Sequence, residues 1–371
     1  MQEQSIWCKL DMDNKYNNPN MMKKNILLIF SVLALSCADE KGDFASLPSV
    51  PISGVHFEEE LIATTASEIN VVGSSIFVSD FNSPDTIISI LDEETGKVIK
   101  RIGTRGGGPG EFTNLRFMGK SSGNDTIYIA NIPNRIYTYA RTGEEMYELI
   151  KENKIYLKKF EFPMGLHRLE NGYYVMSTLS GGQDFFILLN SDCQEVKRFG
   201  VHPVKGMTAD ACDFIPFDGH MASYKNSFYY VTYKYGYIAR YDISDSGETV
   251  LVWEKLLSEP QASISEANIQ MRSSVNLSGF YGVTANDDYV FTTYSGIVYR
   301  AFIDQNDPSA CTPRTLVVFD AKNGDVIGKY GIPNKSMGVS LSEDNERLYV
   351  FNTQPEVAIE RFNVEDILNA E

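Results

Sequence analysis

Six copies of one strand pattern, a glycine-rich link after the first copy and a last copy short of one strand predict an all-β chain. The architecture they point to is a six-bladed β-propeller, with an N-terminal strand closing the last blade. The composition agrees: 21 Tyr and 21 Phe among 371 residues favour strands.

The repeated unit centres on an apolar-aromatic strand. The centres are Ile76–Asp80, Ile127–Ala130, Tyr173–Ser177, Phe228–Thr232, Tyr289–Thr293 and Leu348–Phe351, spaced 51, 46, 55, 61 and 59 residues apart. Such spacing suits four-stranded blades with some long loops. A turn rich in Gly, Asn, Asp and Ser precedes each centre, as tight hairpins require. Inner strands are expected at Ile69–Val72, Arg116–Gly119, Gly165–Leu169, Met221–Tyr224, Tyr281–Thr284 and Gly338–Leu341. Third strands follow at Ile87–Leu91, Ile136–Tyr139, Phe185–Leu189, Ile238–Tyr241, Leu316–Phe319 and Ala358–Phe362. Outer strands are legible at Lys97–Ile102, Val196–Phe199, Val250–Trp253 and Val326–Tyr330.

The sixth unit runs out of chain after Phe362, with three strands. Val55–Ile62 is strand-like and precedes the first complete unit. Ring closure joins the two, which also covers edges that would otherwise pair with other chains. The periodicity alone also admits a β-sandwich or two small barrels. One helix is expected between the fourth and fifth units, where Ser263-Ile-Ser-Glu266 matches a capping box and Ala267–Ser273 continues it.

The link Arg101-Ile-Gly-Thr-Arg-Gly-Gly-Gly-Pro-Gly-Glu-Phe112 joins two strand-like runs. Strand, spaced glycines, Gly-Glu-Phe, then strand is similar to the NHL-type repeat. More closely, Ile102 to Phe112 resembles the signature of TolB-like six-bladed propeller lipoproteins of Bacteroidetes type, with fainter echoes at Arg198-Phe-Gly200 and Lys329-Tyr-Gly-Ile-Pro333. The likeness spans about Val55 to Asn363. It implies a propeller and an envelope address, and says nothing of the ligand. The chain departs from the pattern in having one strong copy.

The N-terminus reads as a leader over residues 1–36. A signal peptide starts at about residue 21, with Lys23-Lys24, an apolar run Ile26–Leu35 and a small residue before Cys37. The run is too short to span a bilayer. It resembles a lipobox, with Cys37 as the lipidated residue, although Ala34 stands where Leu is preferred. Residues 37–54 read as a tether and 55–371 as the propeller. The expected location is the cell envelope, as an outer-membrane lipoprotein facing the periplasm or the surface. The membrane is met through the lipid anchor alone. A formal charge of −16 argues against nucleic acid and anionic lipid surfaces.

No motif forces chemistry. The glycine link lacks the Lys-Ser/Thr of a phosphate-binding loop, and a strand follows where a helix would be needed. It could hold an anion on backbone N–H groups with Arg105, or pack between blades with Glu111 satisfying its amides. Gly119-Lys-Ser-Ser-Gly123 fits Gly-x-Ser-x-Gly, but a strand follows, so no nucleophile elbow is expected. The four histidines, His56, His167, His202 and His220, lack metal-ligand spacing. No catalytic residue, metal or cofactor is assigned. Cys212 and Cys311 fall in upper-face insertions and could pair, with Cys193 distant.

In a propeller the outer-to-inner and second-to-third connections share one face with the channel mouth. Residues expected there or on the channel wall are Arg105, Arg116, Arg135, His167, His220, Tyr233 and Tyr294. Arginines with aromatic platforms suit a small molecule, glycan or peptide. The leading expectation is a non-enzymatic propeller binding such a ligand, or an envelope protein, at the channel mouth. The alternatives are a lyase or hydrolase acting on a glycan or small acid, and a structural subunit of an envelope complex.

Overall fold

The second strand of each blade is built from residues that bury both faces. In the first blade all six residues of Ser75–Asp80 are buried. A continuous apolar run is what a strand needs when sheets pack against it from both sides. Outer strands differ: Tyr147–Lys154 is buried at its first residue and mostly exposed thereafter. The blades therefore grade from apolar centre to polar rim.

The computed structural model describes residues 44–57, 66–80, 83, 86–108, 111–113, 115–120, 126–131, 134–143, 147–157, 162–179, 184–201, 218–258, 260–265, 268–272, 274–301, 310–354 and 358–370. Two compact units divide the chain, Met1–Leu47 and Pro48–Glu371. Of the first, the described part is a short 3-10 turn, Phe44–Ser46.

The second unit is an all-β, six-bladed propeller. Blade one is β3 (Ala66–Val72), β4 (Ser75–Asp80), β5 (Thr86–Asp92) and β6 (Val98–Thr104). Blade two is β7 (Leu115–Lys120), β8 (Thr126–Asn131), β9 (Arg135–Arg141) and β10 (Tyr147–Lys154). Blade three is β11 (Phe162–Arg168), β12 (Tyr174–Leu179), β13 (Asp184–Leu189) and β14 (Glu195–Val201). Blade four is β15 (Gly219–Tyr224), β16 (Ser227–Thr232), β17 (Tyr237–Ile243) and β18 (Thr249–Leu256). Blade five is β21 (Phe280–Ala285), β22 (Tyr289–Tyr294), β23 (Thr315–Asp320) and β24 (Val326–Gly331). Blade six is β25 (Lys335–Leu341), β26 (Arg347–Gln354) and β27 (Ala358–Asn363). Strands are antiparallel and sequential within each blade. The inner strands β3, β7, β11, β15, β21 and β25 abut in turn, and β25 returns to β3, which closes the ring.

Blade six is completed by β2 (Val55–His56), which pairs antiparallel with β27 through Val55↔Arg361 and His56↔Glu360. The Phe57 amide extends the ladder to the Ile359 carbonyl at 3.2 Å. Residues 58–62 of the expected closing strand lie outside the described residues. A second N-terminal strand, β1 (Ser49–Pro51), falls in the segment expected as tether and pairs parallel with β24. It covers the outer edge of blade five, the hazard that exposed edges pose.

The expected helix after blade four is absent. Residues 262–271 form a hairpin instead, β19 (Ala262–Ser265) with β20 (Asn268–Met271), in register Ile264↔Ile269. The capping signature competes there with β-branched isoleucines, Ile264 and Ile269, that face each other across the ladder, and strand pairing satisfies more backbone than one helical turn would. Asn276 pins the hairpin base, accepting from the Gln261 amide at 2.7 Å and donating to its carbonyl at 2.8 Å. A five-residue helix, α1 (Val364–Leu368), ends the chain. Asn363 caps it by accepting from the Asp366 amide.

Candidate functional site

Gly103, Gly106, Glu111 and Phe112 of the glycine link each have a local reason. Gly103 adopts φ +81, and a Cβ there would stand 3.0 Å from Ile87 and 3.1 Å from the Phe112 ring. Phe112 is 1 % exposed and meets Tyr137 edge-on at 5.0 Å, locking blade one to blade two. The chain doubles back through Phe112 N–H to the Thr104 carbonyl at 2.9 Å and Gly106 N–H to the Phe112 carbonyl at 3.0 Å. Glu111 turns its carboxylate inward and accepts from the Gly108 amide at 2.7 Å. A Cβ on Gly106 would lie 2.0 Å from that carboxylate. The concavity that could hold an external anion thus holds the side chain of Glu111.

Arg105 does not face this concavity with a spare guanidinium. Its Nε donates to the Ser83 carbonyl at 3.1 Å, tying the link to the β4–β5 loop. Arg135 forms an ion pair with Glu152 at 3.0 Å on the surface and reaches the Tyr137 hydroxyl at 3.5 Å. Tyr137 and Asn131 both donate to the Glu111 carbonyl, at 3.3 Å and 3.1 Å. These groups hold one seam together. Arg116 lies on β7; its side chain is outside the described residues.

The channel carries a different set. His220, the second residue of inner strand β15, hydrogen-bonds Tyr233 through Nε2 at 2.7 Å, the rings meeting edge-on at 4.8 Å. Tyr233 follows β16 and packs on Tyr281 at 5.1 Å. Burial pushes the His220 imidazole down to about 4. Burial pushes the Tyr233 phenol well above its ordinary value, with Asp218 and Glu68 adding repulsion. Both partners are neutral at pH 7, so a single proton lies between the phenol oxygen and Nε2, and the His220 tautomer decides which of the two donates.

Deeper on the adjacent strand lies His167, 8 % exposed. Burial lowers it to about 3, and the fields of Lys120 and His220 act in the same direction. Lys120 ends inner strand β7. Its Nζ donates to the carbonyls of Val71 at 3.2 Å and Leu341 at 3.3 Å, linking blades one, two and six. Desolvation lowers its ammonium, while Glu343 and Glu93 pull it back up. The inner strands approach closely here. A Cβ on Gly119 would stand 2.2 Å from the Leu166 carbonyl oxygen, and one on Gly282 2.8 Å from the Gly338 Cα.

The seven expected site residues therefore split. His220 and Tyr233 touch each other, with His167 near enough to feel His220. Arg105 and Arg135 belong to the blade-one-to-two seam. Tyr294 ends β22, is buried, and packs on Phe280 at 5.1 Å, its phenol raised to about 12 by burial. His56 is exposed on the closing strand. Cys37, Ser121, Ser122, His202 and Cys212 lie outside the described residues, so the Cys212–Cys311 pairing and the Gly-x-Ser-x-Gly serines have no structural description. Gly119 of that motif is a point of close strand contact. Lys120 is the channel residue that sequence reasoning passed over, although it sat inside the motif; a lysine closing an inner strand was its signal. The described depression of about 460 Å³ lies on the opposite face, lined by Glu170, Lys225, Asn226, Ser227 and Asp242 among others, away from the channel pair. Among the described residues no three His, Cys, Asp or Glu cluster as a metal site, and no helix is long and apolar enough to cross a membrane.

Comparison with known proteins bears on the fold. A crystal structure of a "Putative exported protein" from Bacteroides fragilis is similar, with TM-score 0.53 and 11% identity, over 87% of this chain and 96% of that one. The WD40 repeats of RRP9 are similar at TM-score 0.50 and 10% identity, over 85% of this chain and 99% of that one. At such identities the likeness concerns the propeller architecture. No curated protein matches. Residues 57–332 match the family described as 6-bladed beta-propeller, and the chain belongs to that family, DUF5128.

Proposed function

We propose that the chain is a TolB-like, lipid-anchored propeller of the cell envelope that binds a small molecule, glycan or peptide at its channel mouth without transforming it. The observation that carries the reading is the His220–Tyr233 pair at 2.7 Å. It sets two neutral, half-buried, hydrogen-bonding groups side by side on the channel wall. Such a pair orients a ligand and discriminates by hydrogen bonding. The envelope address rests on the leader and on Cys37. The description of the Bacteroides fragilis neighbour as an exported protein is in keeping with it.

A lyase or hydrolase is the second reading, and the same contact favours it, because a tyrosine and a histidine sharing a proton can act as acid and base. The direction of both pKa shifts speaks for binding. A phenol raised this far does not become a base at neutral pH, and the imidazole is already engaged. The structural-subunit reading draws on the exposed run Val250-Leu251-Val252 of β18.

A thermal-shift screen against glycans, peptides and small acids tests the binding reading. A ligand that raises Tm in the native chain and fails to do so in Tyr233→Phe supports it. No shift with any compound at concentrations far above expected affinity counts against it. Turnover of a shifting compound would establish the second reading. Palmitate incorporation that survives Cys37→Ala would remove the lipid anchor.

A further inference from the structure

We propose that the seam between blades five and six holds a monovalent alkali cation, bound by Glu360 of β27, Asn352 of β26 and Ser336 of β25. The site is separate from the channel and does not rest on the binding reading.

Strand alternation brings the three side chains to one face. Val350 of β26 and Phe362 of β27 pack in one apolar cluster with Phe291 and Leu316 of blade five. Residues two apart on a strand share a face, so Asn352 and Glu360 also face blade five. Ser336 stands directly opposite Asn352. Asn352 and Glu360 are diagonal neighbours, through Asn352↔Ala358 and Val350↔Glu360. Opposed Cβ atoms lie about 5 Å apart and diagonal ones about 7 Å, near enough for three side-chain oxygens to meet around one ion. The connection from blade five reaches in as well, Asn334 donating to Glu360 Oε1 at 2.6 Å.

The group is sealed and unsatisfied. Ser336 is 0 % exposed, Asn352 1 % and Glu360 4 %. Glu360 Oε2 and both amide atoms of Asn352 have no hydrogen-bond partner among the described residues. His56 pairs with Glu360 through backbone and does not bond that oxygen. Arg347 and Arg361, the cations on β26 and β27, turn to Glu94 of blade one. Ser336 donates its proton to the Gly338 carbonyl at 3.4 Å, which leaves its oxygen able to face a cation. A buried carboxylate oxygen with no counter-charge is strongly unfavourable, and an amide unpaired at both ends adds to the cost.

The donor set selects the guest. One carboxylate supplies one negative charge, while the amide and hydroxyl oxygens are neutral. Hard oxygen donors with that single charge match sodium or potassium; calcium sites gather more carboxylates. A water alone would pair the amide and leave the charge. A cation that keeps one water answers both, because the water binds the ion through one lone pair and accepts from Asn352 Nδ2 with the other.

Chloride salts are the probe. At equal ionic strength, Tm of the native chain should be higher in sodium or potassium chloride than in choline chloride, by about 2 °C at ~10 times Kd. Glu360→Gln can keep the Asn334 bond while removing the charge, and should abolish the difference. Equal Tm of the native chain in the three salts overturns the proposal, as does a sodium or potassium effect that survives Glu360→Gln. Should Glu360→Gln not fold, sodium NMR line broadening by the native chain decides. Saturable broadening competed by potassium supports the site, and its absence refutes it.

Discussion

Glu111 holds the Gly108 amide at 2.7 Å, so the glycine link carries its own anion. That one bond changes what the link is for. A run of backbone amides that could have received a phosphate or carboxylate is a self-capped connector, and Phe112 beside it is the wedge between two blades.

Replacing Glu111 with Ala should destabilise the chain by about 1–2 kcal/mol, the worth of a partly buried charge-assisted hydrogen bond. Urea unfolding measures the loss, and amide exchange at Gly108 should speed up with it. An unchanged midpoint would mean the carboxylate is not the anchor of the link.

Gly119→Ala should be more damaging, about 3 kcal/mol. The new methyl would meet the Leu166 carbonyl oxygen at 2.2 Å, and backbone on both sides leaves nothing flexible to yield. A variant with native Tm would show that β7 and β11 can part without cost, against the seam described here.

The blades were legible because burial imposes a pattern. Second strands, and the middles of most third strands, are buried on both faces, so they stand out as runs such as Phe228–Thr232 and Leu316–Phe319. Outer strands face water and lose that signal. β10, Tyr-Glu-Leu-Ile-Lys-Glu-Asn-Lys, reads as polar chain and was not legible. The helix expected at Ser263 misled because a capping box is four residues of local chemistry, outvoted by pairing across a hairpin. The candidate site was half legible. His220 and Tyr233 sit where strand ends meet the upper loops, so topology alone places them together. Arg105 and Arg135 carry charge, which suggested a ligand, but their partners Ser83 and Glu152 are set by loop geometry that no spacing reveals.

Ring closure should depend on Phe57 more than on the two-residue strand before it. Phe57 is buried between blades six and one, beside Tyr349 at 6.3 Å, and its ring lies 2.5 Å from where a Cβ on Gly96 would stand. Phe57→Ala should cost about 3–4 kcal/mol. Val55→Ala, at an exposed site, should cost under about 0.5 kcal/mol. Thermal unfolding of the two variants side by side measures the difference. Equal losses would move the closure to backbone pairing alone.

The same seam contains Glu93, buried and accepting from the Tyr349 hydroxyl at 3.0 Å, with Arg347 at 3.9 Å. Desolvation raises its pKa, outweighing Tyr349 and Arg347. A raised carboxylate binds its proton more tightly when folded. Its contribution is therefore full below the unfolded value of 4.5 and declines as pH rises through the folded value. Glu93→Gln should flatten that decline and leave the chain no less stable at pH 7. Denaturant titrations at several pH values from 4 upward measure it; a slope unaltered in the variant would relieve Glu93 of this role.

Acid should open the channel wall from the other side. His167 and His220 are held neutral by burial, at about 3 and about 4, against an ordinary 6.5. A histidine with a depressed folded pKa favours the native state above 6.5, and that advantage drains away as pH falls from 6.5 toward the folded value. Each histidine should then steepen the loss of stability by up to about 1.4 kcal/mol per pH unit in that window. His220→Gln keeps a polar group at the same place without titrating there, and should remove about half of the slope. Tyr233→Phe should leave the slope in place, because burial and not the hydroxyl depresses His220, while costing about 1–3 kcal/mol at neutral pH through the ring nitrogen it strands. Unfolding free energies from pH 4 to 7 in the three proteins separate the two effects. A slope that survives His220→Gln unchanged would mean that the imidazole titrates freely and is not sealed in the wall.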